Sequence, residues 1–207
     1  MLKNRVDPWG ALCAVPDRGS LMGNRGILHD ANKAIVHDWQ HKGWVTCLLS
    51  FKGIKRVPFS QGNYSELFFL DEATAFAAGH RPCARCQPAR NREFKAAWAK
   101  ANGAAHDSAS LTMPEIDRSL HADRVEKGGG KRTFQSVIGD LPFGTFFDHS
   151  QRAFVKTPRG SLPWSFGGYG QPVALGAAQV VSVLTPQSVV RAFSTGFVPC
   201  LHASAGG

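Results

Sequence analysis

The feature that most constrains the fold of this chain is a pair of thiols on a turn between two helix-like segments. Cys83 and Cys86 are separated by two residues, so both sulfurs can face one soft metal ion or form a redox pair. Upstream, Asp71 is a typical N-cap and Gly79 a typical helix end. Downstream, Pro88 suits the start of a second helix. The sequence therefore predicts a short helix, a thiol turn and a longer helix in succession.

The ligands of a metal at this turn cannot all be local. A structural zinc takes four nitrogen or sulfur ligands, so Cys83 and Cys86 need partners from distant positions. Cys47 is the leading third ligand, and Cys13 and His80 remain open as further ones. A lone Cys-x-x-Cys pair is a weak signal, and the alternative is that the two thiols simply pack in the turn. Structural zinc is the one cofactor that these cysteines indicate, and no cofactor is expected for catalysis.

The cysteine count bears on the compartment. Five cysteines, widely spaced apart from one pair, do not form the even framework of a disulfide-rich secreted domain. The segment 1–16 contains no apolar run of signal-peptide length, and no stretch is typical of a membrane span. We expect a cytoplasmic protein with no membrane partner.

The charge of the chain points to a polyanionic partner. A formal charge of +9 on 207 residues attracts nucleic acid, while 43% hydrophobic and 19% charged residues are ordinary for a globular protein. No basic amphipathic helix favours an anionic membrane instead. DNA is the expected partner, with RNA as an alternative. The basic residues predicted to contact nucleic acid are Arg25, Lys55, Arg56, Arg81, Arg85, Arg90, Lys131 and Arg132.

Acid–base groups occur in the same half of the chain. His29 is adjacent to Asp30, whose carboxylate can orient the imidazole, and His80 precedes the thiol turn. Glu66 lies in an apolar strand, so we expect it to point outward or to pair with an arginine; if it is buried, a raised pKa would suit acid–base work. Phosphodiester cleavage needs a base, a proton donor and cationic groups. His29, Asp30, Glu66 and His80 are therefore the predicted catalytic residues, acting without a catalytic metal.

The thiol turn and the residues before it resemble a known domain. The segment Leu67-Phe68-Phe69-Leu70-Asp71-Glu72-Ala73-Thr74-Ala75-Phe76-Ala77-Ala78-Gly79, continued by His80-Arg81-Pro82-Cys83-Ala84-Arg85-Cys86-Gln87-Pro88, is similar to the second half of the zinc-binding methyl-phosphotriester domain of the bacterial alkylation-response protein Ada. The resemblance covers about residues 64–100. It implies a strand, a short helix and a turn that supplies two of four zinc thiolates, together with a DNA-backbone partner. The first cysteine pair of that family, which includes the methyl acceptor, has no counterpart here, so its repair chemistry is not expected.

The chain as a whole is predicted to be α+β, with an Ada-like small sheet and helices followed by a small β-rich C-terminal subdomain. Residues 1–110 are the predicted nucleic-acid-binding and catalytic domain, beginning with an irregular arm over 1–24 and a hairpin over 26–37. Residues 111–140 are a charged helix and a glycine-rich connector, and 141–207 a barrel-like subdomain. The run Gly128–Lys131 lacks the spacing of a nucleotide-binding P-loop, which excludes that class of ATPase.

Three functions remain open at this stage. The first is a nucleic-acid phosphodiesterase, an endonuclease favouring single strands. The second is a non-enzymatic zinc-knuckle module that binds DNA in repair or regulation. The third is a DNA glycosylase, which needs a pocket for an extruded base and a carboxylate such as Glu66.

Overall fold

The computed structural model describes residues 1–54, 57–103 and 111–206, and its architecture is α+β, as predicted. The described residues form two six-stranded sheets and four α-helices. The strands are β1 (Arg5–Val6), β2 (Leu12–Cys13), β3 (Leu21–Asn24), β4 (Val45–Leu48), β5 (Leu67–Phe69), β6 (Arg81–Pro82), β7 (Phe134–Val137), β8 (Phe146–His149), β9 (Arg152–Thr157), β10 (Gly160–Ser165), β11 (Gly168–Tyr169) and β12 (Val180–Val183). The helices are α1 (Glu72–Ala77), α2 (Pro88–Asn102), α3 (Met113–Arg124) and α4 (Gln187–Phe193).

The first sheet gathers the N-terminal half in the order β2-β1-β5-β3-β4-β6. Strand β5 lies at its centre, antiparallel to β3 and parallel to β1. The arm over 1–24 is therefore not irregular, because it supplies three strands to this sheet. Strand β6 runs parallel to β4 at the edge, with Val45 opposite Arg81. This pairing brings β4 beside the thiol turn.

The predicted hairpin over 26–37 is reduced to a single bridge between His29 and Ile35. Backbone hydrogen bonds from Asp30 to Ala34 at 3.0 Å and from Val36 to Leu28 at 2.8 Å close the turn around this bridge. Asp30 Oδ1 adds side-chain hydrogen bonds by accepting from the amides of Asn32 and Ala34, both at 2.9 Å.

Helix α1 lies between the two sheets. Asp71 caps it by accepting a hydrogen bond from the Thr74 amide at 2.8 Å, as its sequence position predicts. All six helical residues are buried. Ala73 packs in a cluster with Phe146 of the second sheet, whereas Ala75 packs in a cluster with Phe69 of the first. The small side chains of α1 thus allow both sheets to approach one short helix.

The second sheet has the order β11-β10-β9-β8-β12-β7 and begins at Phe134, before the predicted subdomain boundary at 141. The buried clusters also cross both predicted boundaries. One cluster joins Phe76 of α1, Trp98 of α2, Ile116 of α3 and Phe193 of α4. The three predicted segments therefore share a hydrophobic core. No described helix combines the length and the apolar character needed to cross a membrane.

Candidate functional site

Three cysteines meet where β4 lies beside the thiol turn. The sulfurs of Cys47, Cys83 and Cys86 all lie within 4.8 Å of one another. The parallel pairing of β4 with β6 produces this arrangement, since the Cys83 amide donates a hydrogen bond to the Thr46 carbonyl at 2.9 Å. The thiols are partly buried. Thiolates are ligands that zinc prefers, so this cluster can hold a metal ion.

The structure identifies the thiol that lies beside Cys83 and Cys86. Cys47 joins the pair, and the hydrogen bond it shares with Cys83 lowers the pKa of Cys83 and raises that of Cys47. Within the ranges that the structure describes, no further histidine, cysteine or carboxylate side chain completes this group. Neither Cys13 nor His80 belongs to this group.

A cavity of about 310 Å³ opens beside the three cysteines. Part of its wall is one face of the first sheet, because Met22 and Asn24 alternate along β3 and Val45 and Cys47 alternate along β4. Aromatic rings and the cationic Arg85 surround the opening, while Glu66 and Asn24 supply polar groups. The residues that line the cavity include Met22, Asn24, Val45, Cys47, Phe51, Tyr64, Glu66, Phe68, Cys83, Arg85 and Cys86.

Glu66 is buried at this cavity and is 2% exposed. Its Oε2 accepts a hydrogen bond from the Phe59 amide at 2.9 Å, and its Oε1 is buried without a partner among the described residues. The expectation that it points outward or pairs with an arginine is wrong, since a backbone amide takes the place of the arginine. The unpaired oxygen is free to accept a hydrogen bond from a ligand.

His29 is close to this carboxylate but is oriented by other groups. Its ring stacks on Phe59 with centroids 4.7 Å apart, and its Nδ1 lies 2.6 Å from Ser65 Oγ. Asp30 uses a carboxylate oxygen for its own turn. The predicted orientation of His29 by Asp30 is therefore replaced by a hydrogen bond to Ser65.

His80 lies on the opposite face of the sheet. Its ring packs against Phe69 and Trp44, and its Nε2 accepts a hydrogen bond from Arg25 Nε at 3.3 Å. Burial lowers its pKa well below the ordinary value, and the charge of Arg25 acts in the same direction. Glu66 and Phe68 line the cavity, whereas Phe69 packs against His80, so alternation along the strand places Glu66 and His80 on opposite sides. The structure therefore does not bring these two predicted catalytic residues together.

Two of the predicted phosphate-binding arginines are engaged inside the protein. Arg81 makes two 2.7 Å hydrogen bonds to the carboxylate of Asp117, and Arg90 forms a similar pair with Glu72 at 2.8 and 2.9 Å. Paired in this way, these guanidiniums are structural and are not available to phosphates. Arg85 and Arg132 are exposed, and Lys55 and Arg56 lie outside the described residues.

Arg25 and Lys131 line a second cavity, of about 480 Å³. The sequence analysis did not identify its third cation, Arg124, which it placed in a charged helix without a site role. Arg124 continues the spacing of Ile116 and Leu120, both buried, at intervals of four residues. That periodicity was the signal that could have identified it as an inward-facing arginine.

Comparison with known proteins gives no match: no family model, no curated protein and no solved structure resembles this chain significantly. The resemblance to the Ada domain stays a prediction from the sequence.

Proposed function

We propose that the chain is a zinc-stabilised nucleic-acid-binding protein that takes an unpaired base into the cavity beside its three cysteines. The observation that carries the proposal is the convergence of Cys47, Cys83 and Cys86 within 4.8 Å at the rim of an aromatic cavity. Zinc bound there would tie β4 to the thiol turn and thereby hold Arg85 at the cavity mouth. The overall charge of +9 supplies the long-range attraction for a polyanion.

The chemistry of the cavity suits an unpaired base. Phe51, Tyr64 and Phe68 offer rings on which a base can stack, and Arg85 offers a charge for the adjoining phosphate. Glu66 lines the wall, and its Oε1, unpaired among the described residues, can accept a hydrogen bond. Base edges carry N–H donors that match such an acceptor. Single-stranded DNA is the expected ligand, with RNA as the alternative.

A second function, base excision, is favoured by one specific observation. A buried carboxylate, Glu66, borders a cavity that can receive an extruded base, which is the arrangement that a glycosylase needs. The phosphodiesterase hypothesis has less geometric support, because His80 packs on Phe69, away from the cavity that Glu66 lines. Cleavage therefore becomes an outcome to be tested with the same substrates.

Binding and chemistry are separated by one experiment. Labelled single- and double-stranded DNA and RNA are incubated with the protein, with and without EDTA, and examined by anisotropy and by denaturing gel. We expect bound, intact strands with a preference for single strands. Abasic sites would indicate excision, shortened products would indicate a nuclease, and the absence of binding to any strand would contradict the proposal.

Arg85→Gln tests the cavity with a matched control. Removing the charge at the cavity mouth should weaken single-strand binding several-fold, by about 1 kcal/mol, and should reduce its salt dependence. Arg92→Gln removes an equally exposed charge on α2, away from the cavity lining, and should change affinity much less. Equal effects of the two variants would mean that the cavity has no special role.

A further inference from the structure

A cationic cavity lies on the face of the first sheet opposite the three cysteines. It has a volume of about 480 Å³ and is lined by Arg25, Arg124 and Lys131, with Trp39 and Trp44 among its walls. Both guanidiniums lie over the Trp44 ring, Arg25 at 4.3 Å and Arg124 at 3.8 Å from its centroid. Three cationic groups from distant parts of the chain thus converge on one recess.

Arg25 is the most deeply buried of the three, at 3% exposed. Its Nη1 donates to the Gly10 carbonyl at 3.0 Å and its Nε to His80. Its Nη2 is buried and has no hydrogen-bond partner in the part of the chain that the structure describes. An unsatisfied guanidinium nitrogen is costly to bury, so a group that accepts its hydrogen bond would be strongly favoured.

Among the described residues, Arg124 and Lys131 have no carboxylate hydrogen-bond partner. Arg124 donates to the carbonyls of Gly79 and Lys42 at 2.7 and 2.6 Å, its Nη2 lies 3.3 Å from His121 Nδ1, and its Nε has no partner among these residues. Lys131 donates to the Ala77 carbonyl at the end of α1. Although Lys131 is partly exposed as a residue, its ammonium is desolvated. Carbonyl oxygens satisfy the hydrogen-bond geometry but do not neutralise the charge.

No carboxylate among the described residues forms an ion pair with any of the three cations. Asp38 also lines the cavity, and Asp7, Asp38 and Asp117 act on the three cations without forming an ion pair with them. Burial and mutual repulsion lower the pKa of Lys131 to about 7, and burial lowers that of Arg25 to about 10. Buried cations that lack a counter-charge are strongly unfavourable, which is the expected condition of an anion site without its anion.

We propose that the cationic cavity binds a phosphate monoester. A dianion with several terminal oxygens can accept hydrogen bonds from Arg25 and Arg124 together and can neutralise three neighbouring cations. A carboxylate carries one charge and two oxygens, so it would match this set less well. Trp39 and Trp44 provide apolar surface for the group that carries the phosphate. The site depends neither on the zinc nor on the base-binding cavity.

The phosphate can belong to a free nucleotide or to the end of a nucleic-acid strand, and titration calorimetry distinguishes the two. The probes are inorganic phosphate, a nucleoside 5′-monophosphate, and an oligonucleotide with either a 5′-phosphate or a 5′-hydroxyl. Tighter binding of the monophosphate than of its nucleoside indicates a nucleotide site. A preference for the 5′-phosphorylated strand, without monophosphate binding, indicates a strand-end site. If phosphate groups give no advantage in any pair, the proposal is overturned.

Lys131→Met separates an anion site from a structural lysine. If the cavity binds phosphate, the variant should be at least as stable as the parent without ligand, and its phosphate affinity should fall by about tenfold. If Lys131 only tethers α1, the variant should lose stability and keep its phosphate response, which would overturn the proposal. Lys127→Met removes an exposed charge in the same loop and serves as the control.

A second variant, Arg25→Met, tests phosphate binding in the cationic cavity independently of Lys131. It should lose phosphate binding while circular dichroism remains that of the parent. Arg85→Gln and Arg92→Gln should leave phosphate affinity within about twofold of the parent, because neither position lines the cationic cavity. Loss of phosphate binding in these two variants, with retention in Arg25→Met, would place the anion elsewhere and refute the assignment.

Discussion

Single residues decide the electrostatics of both cavities. Glu66 and Arg25 are each nearly inaccessible to solvent, and each has one polar atom without a hydrogen-bond partner among the described residues. Buried polar atoms are normally satisfied in folded proteins, which is the reason that both proposals place a bound group at these atoms. Glu66 offers a hydrogen-bond acceptor and Arg25 a hydrogen-bond donor. We therefore propose a ligand with an N–H donor on the face of Glu66 and an anionic ligand on the face of Arg25.

Lys131 gives the protein a pH dependence that can be isolated by substitution. Its pKa is about 7 in the folded chain and returns to the ordinary 10.5 on unfolding. The unfolded chain therefore binds more protons between these values, so stability rises with pH across this interval. Arg25 and Arg124 lower the pKa and Asp7 raises it. We expect urea unfolding of the ligand-free protein between pH 7 and 9 to show a steeper rise for the parent than for Lys131→Met. Parallel pH profiles would contradict the assignment.

Glu66→Gln tests the acceptor at the base-binding cavity. The amide oxygen can still accept from the Phe59 amide, so the fold should be retained. The free carboxylate oxygen becomes an NH₂ group, which cannot accept a hydrogen bond. Affinity for single-stranded DNA should fall several-fold while the thermal midpoint changes little. Asp30→Asn is the control, because it keeps its turn and should bind as the parent does. An unchanged affinity of Glu66→Gln would remove Glu66 from the site.

At the scale of elements, α1 depends on its cap more than on its own length. A helix of six residues is too short to be stable alone, so its ends and its packing must hold it. Asp71 accepts from the Thr74 amide, from Tyr169 Oη at 2.6 Å and from the His202 amide at 2.9 Å. The cap therefore fastens α1 to β11 and to the C-terminal segment at once.

Asp71→Ala should lower the free energy of unfolding by about 3 kcal/mol or more, because it removes an N-cap and leaves buried donors unpaired. Tyr169→Phe removes only the hydroxyl and should cost about 1–2 kcal/mol. Equilibrium urea unfolding measures both values. A loss of stability in Asp71→Ala no larger than in Tyr169→Phe would show that the cap contributes little beyond one hydrogen bond.

Local signals in the sequence predicted the elements that local chemistry determines. Asp71 and Pro88 marked the starts of α1 and α2, and both helices begin there. Strands β1 and β2 could not be predicted, because two residues carry no period and their pairing depends on distant partners. The same limit applies to the sites, since the approach of Cys47 to the thiol turn follows from the parallel pairing of β4 with β6.

At the scale of the whole molecule, the three cysteines join sequence segments that are more than thirty residues apart. Removing the metal should therefore loosen β4 and the thiol turn together. We expect the purified protein to contain about one zinc per chain, and a strong chelator to lower its thermal midpoint reversibly. Cys47→Ser should reduce the zinc content, whereas Cys13→Ser and Cys200→Ser should not. Full zinc retention in Cys47→Ser would exclude it as a ligand.

The position of Trp44 should make anion binding measurable by intrinsic fluorescence. Its indole lies beneath two guanidiniums whose surroundings would change when an anion enters the recess. Indole emission responds to nearby charge, so intrinsic fluorescence should report occupancy without any attached dye. The parent protein can therefore be used to screen anionic compounds by its own fluorescence. Trp44→Phe keeps a ring under both arginines but should abolish the response.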